Sequence, residues 1–389
     1  MRAVLVDLLC NSPFYCAELA RALSQAGVRT ELASPLFYLE PEALESSPRS
    51  RWITDLAVHA SRPRPLRLAA RAVEGLLNYA RLLRRIDAND YDVVHVEWIP
   101  FADRASPFMS ILRARCDKTG TLLVLSAHNA VPHDRPRTDL GVLKRNIDRA
   151  HLIIAHSEHV ALELAQDVGT TAPIVVIPLG PQFADRPLPP RAEAGRRLGD
   201  PSKPIVLFLG LIRPYKGVDL LSEAWPEVRA SFPNATLFVV GKALDAGAAL
   251  DLQALGRQEG VRVVDRYVSV ASMLDFYAVA DLVVLPYRRI SQSAAFMTAV
   301  SLGRPTVVTP IAGLQEQARG LRSAMVADEI SGPGIARALT ASLRIRGEMA
   351  EAAEGDRAAL ANSPLGWASV ARATAAAYET SIRVRSSRD

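Results

Sequence analysis

Two loops hold the residue types best suited to chemistry. From Phe208 to Gly217 the chain reads Phe-Leu-Gly-Leu-Ile-Arg-Pro-Tyr-Lys-Gly, between an apolar strand-like run and a helical one. Gly210 permits close approach of backbone to a ligand. Arg213 and Lys216 put two cations at the strand's exit, a pairing suited to a diphosphate. From Pro286 to Thr298 it reads Pro-Tyr-Arg-Arg-Ile-Ser-Gln-Ser-Ala-Ala-Phe-Met-Thr. Ser293 is a plausible N-cap, and the free amides of Ala294 and Ala295 would then form an anion site. Taken singly, the first loop could be a basic surface turn and the second an ordinary capped helix. Near Arg213 and Lys216, the anion reading gains.

All seven histidines fall in the first half. His128 and His133 stand on a loop after a strand, where a histidine can act as general base or hydroxyl anchor. His151, His156 and His159 suggest a metal cluster. However, His151 and His156 straddle a strand, and no carboxylate or cysteine has matching spacing, so structural histidines are the better reading.

These loops need a scaffold, and the pattern supplies one. Short apolar runs at Ala3–Leu9, Val28–Ala33, Asp92–Glu97, Thr121–Ser126, Leu152–Ala155 and Ile174–Ile177 alternate with helical stretches such as Pro13–Gln25 and Pro107–Lys118. Repeated strand–helix–strand order implies a parallel sheet covered on both faces. The stretch from 183 to 203 is rich in proline and charge and reads as a linker with a short helix, Ala192–Leu198. The alternation then restarts at Ile205–Leu209 and runs to Thr306–Val308. The expectation is α/β, with two Rossmann-like doubly wound domains facing across a cleft. Ligands in such sheets sit outside the carboxyl ends of the strands. That places the loops after Leu9, Glu97, Ser126, Leu209, Val240 and Leu285 around one site.

The two loops, in this order and separation, resemble the C-terminal domain of glycosyltransferase family 4, which has the GT-B fold. The specific second block runs on from Asp281 to Thr309, and weaker matches extend the resemblance: Ser126–Asp134 with its histidine, Ala155-His-Ser157, Ile177-Pro-Leu-Gly180 and Val239-Val-Gly-Lys242. The resemblance implies retaining, same-face transfer of a hexosyl group from a UDP- or GDP-sugar to a hydroxyl of a glycan or glycolipid. It implies no protein nucleophile, no cofactor and no metal. Arg213 and Lys216 would hold the diphosphate and stabilise the leaving group. Gly210, Ser291, Gln292, Ser293 and Ala294 would line the donor, with Thr298 and Glu316 in support. His128 would work on the acceptor side with Asn11, Glu97, Trp98 and Asn129. Glu97 and Trp98 also read as core or rim residues. The chain departs from the family where two glutamates eight apart are usual: it has Ile290 and Thr298. A first-loop Gly-Gly is replaced by Asn11-Ser-Pro-Phe-Tyr15, and Leu179 replaces a histidine. Two rivals on the same scaffold are a non-catalytic partner protein and a nucleotide-sugar epimerase.

The domains are then 1–182 for the acceptor, 183–203 as linker, 204–365 for the nucleotide-sugar, and 366–389 as a helix crossing back to the first domain. With 49% apolar residues the chain can build two cores. The three cysteines have neither metal nor disulfide spacing, which suits a reducing cytoplasm. The formal charge of +5 is spread over both halves, which excludes a nucleic-acid polycation. Its local exception is Arg49–Arg85, with nine arginines against Asp55 and Glu74. In Arg67–Arg85, Arg67, Arg71, Glu74, Asn78, Arg81 and Arg85 form a polar stripe opposite Leu66, Ala70, Val73, Leu77, Ala80 and Leu83. The preferred reading lays the apolar face on the sheet. The sharper alternative is peripheral docking on anionic lipid at the inner face of the membrane.

Overall fold

The computed structural model describes residues 1–37, 39–44, 47–57, 64–100, 107–131 and 139–387. The chain forms two compact units, Met1–Gly180 with Pro364–Asp389, and Pro181–Ser363.

In the first unit six strands, β1 (Arg2–Val6), β2 (Arg29–Ala33), β3 (Val93–Val96), β4 (Leu122–Ala127), β5 (Leu152–Ala155) and β6 (Ile174–Val176), form a parallel sheet in the order β2-β1-β3-β4-β5-β6. Between them run α1 (Pro13–Gln25), α2 (Arg64–Asp87), α3 (Phe108–Thr119), α4 (Leu140–Ile147) and α5 (Glu158–Glu163). The apolar runs of the strands bury both faces, and alternation deals their side chains into two cores. Val4, Val6, Val94, Val96 and Leu125 join one core with Leu82 of α2, Leu112 of α3 and Leu143 of α4. Ala3, Leu5, Val93 and Val124 join the other with Leu19 and Leu23 of α1.

In the second unit β7 (Ile205–Leu209), β8 (Thr236–Val240), β9 (Val261–Val264), β10 (Leu282–Leu285), β11 (Thr306–Val308) and β12 (Ala324–Val326) form a parallel sheet in the order β12-β11-β10-β7-β8-β9. This is the Rossmann strand order. Its helices are α6 (Arg191–Arg197), α7 (Val218–Ser231), α8 (Ala246–Gly256), α9 (Val270–Val279), α10 (Ala294–Ser301), α11 (Ala312–Ala318), α12 (Gly332–Arg344) and α13 (Arg346–Leu360). The last helix, α14 (Trp367–Ser386), belongs to the first unit, where Val370, Ala371 and Tyr378 complete the α1-side core.

Two expectations are corrected. The proline-rich stretch 183–203 is part of the second unit, not a separate linker. Its helix α6 docks because Ala194 is buried, Arg191 pairs with Asp281 at 2.9 Å and Arg197 donates to Asp275 at 2.9 Å. The second correction concerns α2, which is turned over. The middle of its polar stripe faces inward: Glu74 accepts from the Ala57 amide at 2.9 Å, and Asn78 exchanges hydrogen bonds with the Thr54 backbone at 2.9 and 3.1 Å, while Arg85 stays exposed. Arg71 donates to the Leu9 carbonyl, at 2.5 Å, and Arg81 to the Trp52 carbonyl, at 3.2 Å. The segment from Trp52 to Ala57 offers bare backbone groups, and these demand polar partners. Leu66, Val73, Leu76 and Leu77 are left in solvent.

Candidate functional site

Each sheet has a switch point where successive connections leave in opposite directions, between β1 and β3 in the first unit and between β7 and β10 in the second. Open α/β sheets bind ligands outside the strand ends there. The candidate residues stand at both places.

In the second unit the loop after β7 turns back over its own strand end. Gly210 has φ +147°, and a β-carbon there would lie 3.2 Å from the Lys216 ammonium. The Lys216 Nζ donates to the Tyr287 hydroxyl at 3.2 Å and stands 4.9 Å from the centre of the Tyr287 ring. Burial lowers the pKa of this lysine; Tyr215 opposes that and Arg213 adds to it. A cation so placed gains from an anion that replaces lost water. The loop is packed by glycines. A β-carbon on Gly217, at φ +68°, would fall 1.9 Å from the Pro286 carbonyl oxygen, and one on Gly241, at φ +145°, 1.9 Å from that of Gly210. The Arg288 amide donates to the Tyr215 carbonyl at 2.8 Å, and its guanidinium grips Asp219 with two bonds of 2.5 Å.

The loop after β10 is equally fixed. Ser293 caps α10, accepting from the Phe296 amide at 3.2 Å. Gln317 of α11 straps the same residue, accepting from its amide at 2.8 Å and donating to its carbonyl at 3.3 Å. A β-carbon on Gly313 would strike the Ser291 carbonyl oxygen at 2.3 Å, so α11 closes on this loop only through glycine. Ser291 is buried, Gln292 half-buried and Ala294 exposed at the helix start. Thr298 is buried, and its hydroxyl donates to the Ala294 carbonyl at 2.9 Å. Glu316 is half-buried on α11. Sequence reasoning missed Tyr287, Gly313 and Gln317. The signal was slight, since Tyr287 directly follows a strand-ending proline.

In the first unit Asp7, buried at the end of β1, accepts from the amides of Asn11 and Ser12 at 3.0 and 2.9 Å and so shapes the first loop. Burial raises its pKa to about 6 against those two hydrogen bonds. Asn11 itself is exposed. Glu97, fully buried, meets His128 Nε2 through one carboxylate oxygen at 3.1 Å. Its other oxygen lies 3.6 Å from His95 Nε2 and makes no hydrogen bond among the described residues. The Trp98 indole lies flat on the His128 ring, 4.6 Å between centres and 4° between planes, and its N–H donates to the Ser12 hydroxyl at 2.9 Å. Asn129 follows, half-buried. His133 lies outside the described residues.

His151, His156 and His159, weighed above as a metal cluster, lie apart. His151 bonds Asp117 and the Leu123 amide, both at 2.8 Å, and His159 pairs with Glu163 at 3.4 Å. His156 instead joins His128, 4.7 Å between ring centres, with the Tyr15 ring edge-on to both. Glu97, His128 and His156 bring one potential ligand atom each within 4.8 Å of one another. A carboxylate with two imidazoles is a donor set that a divalent cation accepts. The same groups already engage each other and the Ile177 carbonyl, to which His156 Nδ1 lies at 2.9 Å. Burial pushes His128 and His156 down to about 3 and His95 to about 4, so all three rings are neutral near pH 7.

Residues 203–344 match the family model described as "Glycosyl transferases group 1", and residues 14–181 match "Glycosyltransferase Family 4". The chain belongs with the family 4-like glycosyltransferases. Within this group it is 32% identical over 148 residues to a D-inositol 3-phosphate glycosyltransferase of Segniliparus rotundus, covering 36% of this chain and 31% of that protein. It is 27% identical over 257 residues to a GDP-mannose:glycolipid 4-beta-D-mannosyltransferase of Xanthomonas campestris pv. campestris, covering 63% of this chain and 66% of that protein. The fold of this glycosyltransferase matches that of Anabaena HepE solved with UDP-glucose, at a TM-score of 0.73 and 16% identity over 98% of this chain and all of that one. It also matches sucrose-phosphate synthase from Thermosynechococcus elongatus, at 0.70 and 16% over 97% and 98%. The two-unit α/β architecture is GT-B.

Proposed function

We propose that the protein transfers a hexosyl group, with retention, from a UDP- or GDP-sugar to a hydroxyl of a glycan or glycolipid. The observation that carries this reading is the half-buried Lys216 ammonium held over Gly210 by Tyr287, beside Arg213, at the β7/β10 switch point. The UDP-glucose complex of HepE and the GDP-mannose in the name of the Xanthomonas relative support this donor class.

The chemistry follows from where charge develops. As the sugar leaves, negative charge grows on the diphosphate, and fixed cations that have already lost their water stabilise it without reorganising. Lys216 fills that role, with the Arg213 charge beside it. The start of α10 adds the Ala294 amide, with Ser293 already spent on capping. On the acceptor side, His128 is neutral. When Nε2 donates to the Glu97 carboxylate, it carries the ring proton, and Nδ1 is the acceptor that can orient a sugar hydroxyl. Trp98 fixes the ring plane. No step requires a metal.

The test is product formation from UDP- and GDP-hexoses with glycan and lipid-linked acceptors, with NMR of the new anomeric centre. An axial product from an axial donor bond supports retention. Donor binding without transfer to any acceptor would favour a non-catalytic partner instead, a reading supported by the spent hydroxyl of Thr298.

A further inference from the structure

The inverted α2 leaves a surface that transfer chemistry does not use. On its outer side Leu66, Val73, Leu76 and Leu77 are 52%, 50%, 71% and 42% exposed. At helical spacing they form one strip with Ala69 and Ala80, and no polar side chain interrupts it for four turns. The opposite side of α2 is spent inside, through Glu74 and Asn78 on the Trp52–Ala57 backbone and through Tyr79 stacked on Phe108 at 4.6 Å. The helix therefore cannot roll to hide its leucines without stripping buried polar groups of their partners. An unbroken exposed apolar strip on a fixed helix marks a surface built to be covered.

The charges around the strip select the occupant. Arg84 is exposed one turn beyond Ala80, in line with Leu77. The other end of the helix carries Arg64 and Arg67 in sequence. Of the two acids on α2, Glu74 is buried and Asp87 is paired with Arg115. Leucines bounded by arginines and free of unpaired acid complement a bilayer interface containing anionic lipid. A second copy fits worse, because two such strips laid face to face supply no acid for the exposed Arg84 of either.

We propose that α2 docks this protein on anionic membrane surfaces through its leucine strip, with the exposed Arg84 on lipid phosphates. No helix of the described residues is long and apolar enough to cross a membrane, so this contact is interfacial. The proposal stands whether or not the donor chemistry above is correct.

The experiment is flotation of the full-length protein with vesicles of phosphatidylcholine alone and of phosphatidylcholine with 30% phosphatidylglycerol. Binding to the mixed vesicles, weakened by salt, is expected. Leu76→Gln/Leu77→Gln should lower that binding by about tenfold or more, and Arg84→Glu by severalfold. These side chains are exposed, so melting temperatures should not change. Absence of binding to either vesicle overturns the proposal, as does binding unchanged in the leucine variant. A concentration-dependent dimer that the leucine variant dissociates, with no vesicle binding, assigns the strip to a second copy and also overturns it.

Discussion

The Lys216 ammonium and the Tyr287 hydroxyl lie 3.2 Å apart, across the ends of two neighbouring strands. One residue comes from the loop after β7 and the other from the first position beyond the proline that ends β10. Tyr287 positions the lysine and does not contribute charge. Tyr287→Phe should weaken nucleotide-sugar binding a few fold, the scale of one neutral hydrogen bond, while Lys216→Met should abolish it. Isothermal titration distinguishes them; equal losses would mean that the tyrosine itself contacts the donor. Because burial lowers the lysine's pKa, donor binding should also fall off on the alkaline side earlier than an ordinary lysine would dictate.

Gly217 and Gly241 are sites where no other residue fits. At φ +68° and +145°, with backbone oxygens 1.9 Å from where a β-carbon would stand, alanine must push strand ends apart. Gly217→Ala should destabilise the protein by about 2 kcal/mol or more and should weaken donor binding as well. Denaturant unfolding alongside a binding titration checks both. A stable variant with normal affinity would show that the loop has slack that the packing does not suggest.

His128 acts on the acceptor side in this account. His128→Ala should reduce transfer by roughly a hundredfold, the usual worth of a positioned base or anchor, and leave donor affinity intact. Glu97→Gln should cause a smaller loss, because it disturbs only the ring's tautomer. Steady-state kinetics with a donor titration reads the difference. Loss of donor binding in His128→Ala would move the histidine to the donor side.

Stability should fall on acidification. His95, His128 and His156 have folded pKa values of about 4, 3 and 3, against an ordinary 6.5, chiefly through burial. Unfolding then takes up a proton at each, so their contribution is complete above pH 6.5 and is lost as pH falls toward 3 to 4. Asp7 runs the other way: with a folded pKa of about 6, its contribution is complete below pH 3.8 and is lost as pH rises through 6. Three groups outweigh one, and the urea midpoint should drop between pH 6.5 and 4. Asp7→Asn should steepen that drop. A midpoint that rises on acidification would contradict the neutral, buried state of the histidines.

The strand loops were legible because their signals are local. Gly210 before two cations, and Ser293 before a helical run, need only the neighbouring residues to be read, and the structure supplies the cap that Ser293 implies. The α2 orientation was not legible. Periodicity shows that a helix has two faces, and the usual preference puts the apolar one inside. Here the groove is lined by backbone groups of Thr54 and Ala57, which only folding brings to the helix, and Glu74 and Asn78 satisfy them. The meeting of His156 with His128 was hidden for a similar reason, since it depends on β4 and β5 being neighbours rather than on spacing along the chain. Gln317 straps Ser293 from 24 residues away, and nothing local marks it.

The proposed role of Arg213 and Lys216 is to hold the donor's diphosphate. It is tested most directly by the melting temperature of the native protein and of Arg213→Ala/Lys216→Ala with UDP-, GDP-, ADP- and dTDP-sugars. A ligand that binds the folded state raises the melting point. A UDP- or GDP-sugar should stabilise the native protein and leave the variant unchanged. Equal stabilisation of both proteins, or none of either at millimolar concentration, would contradict it.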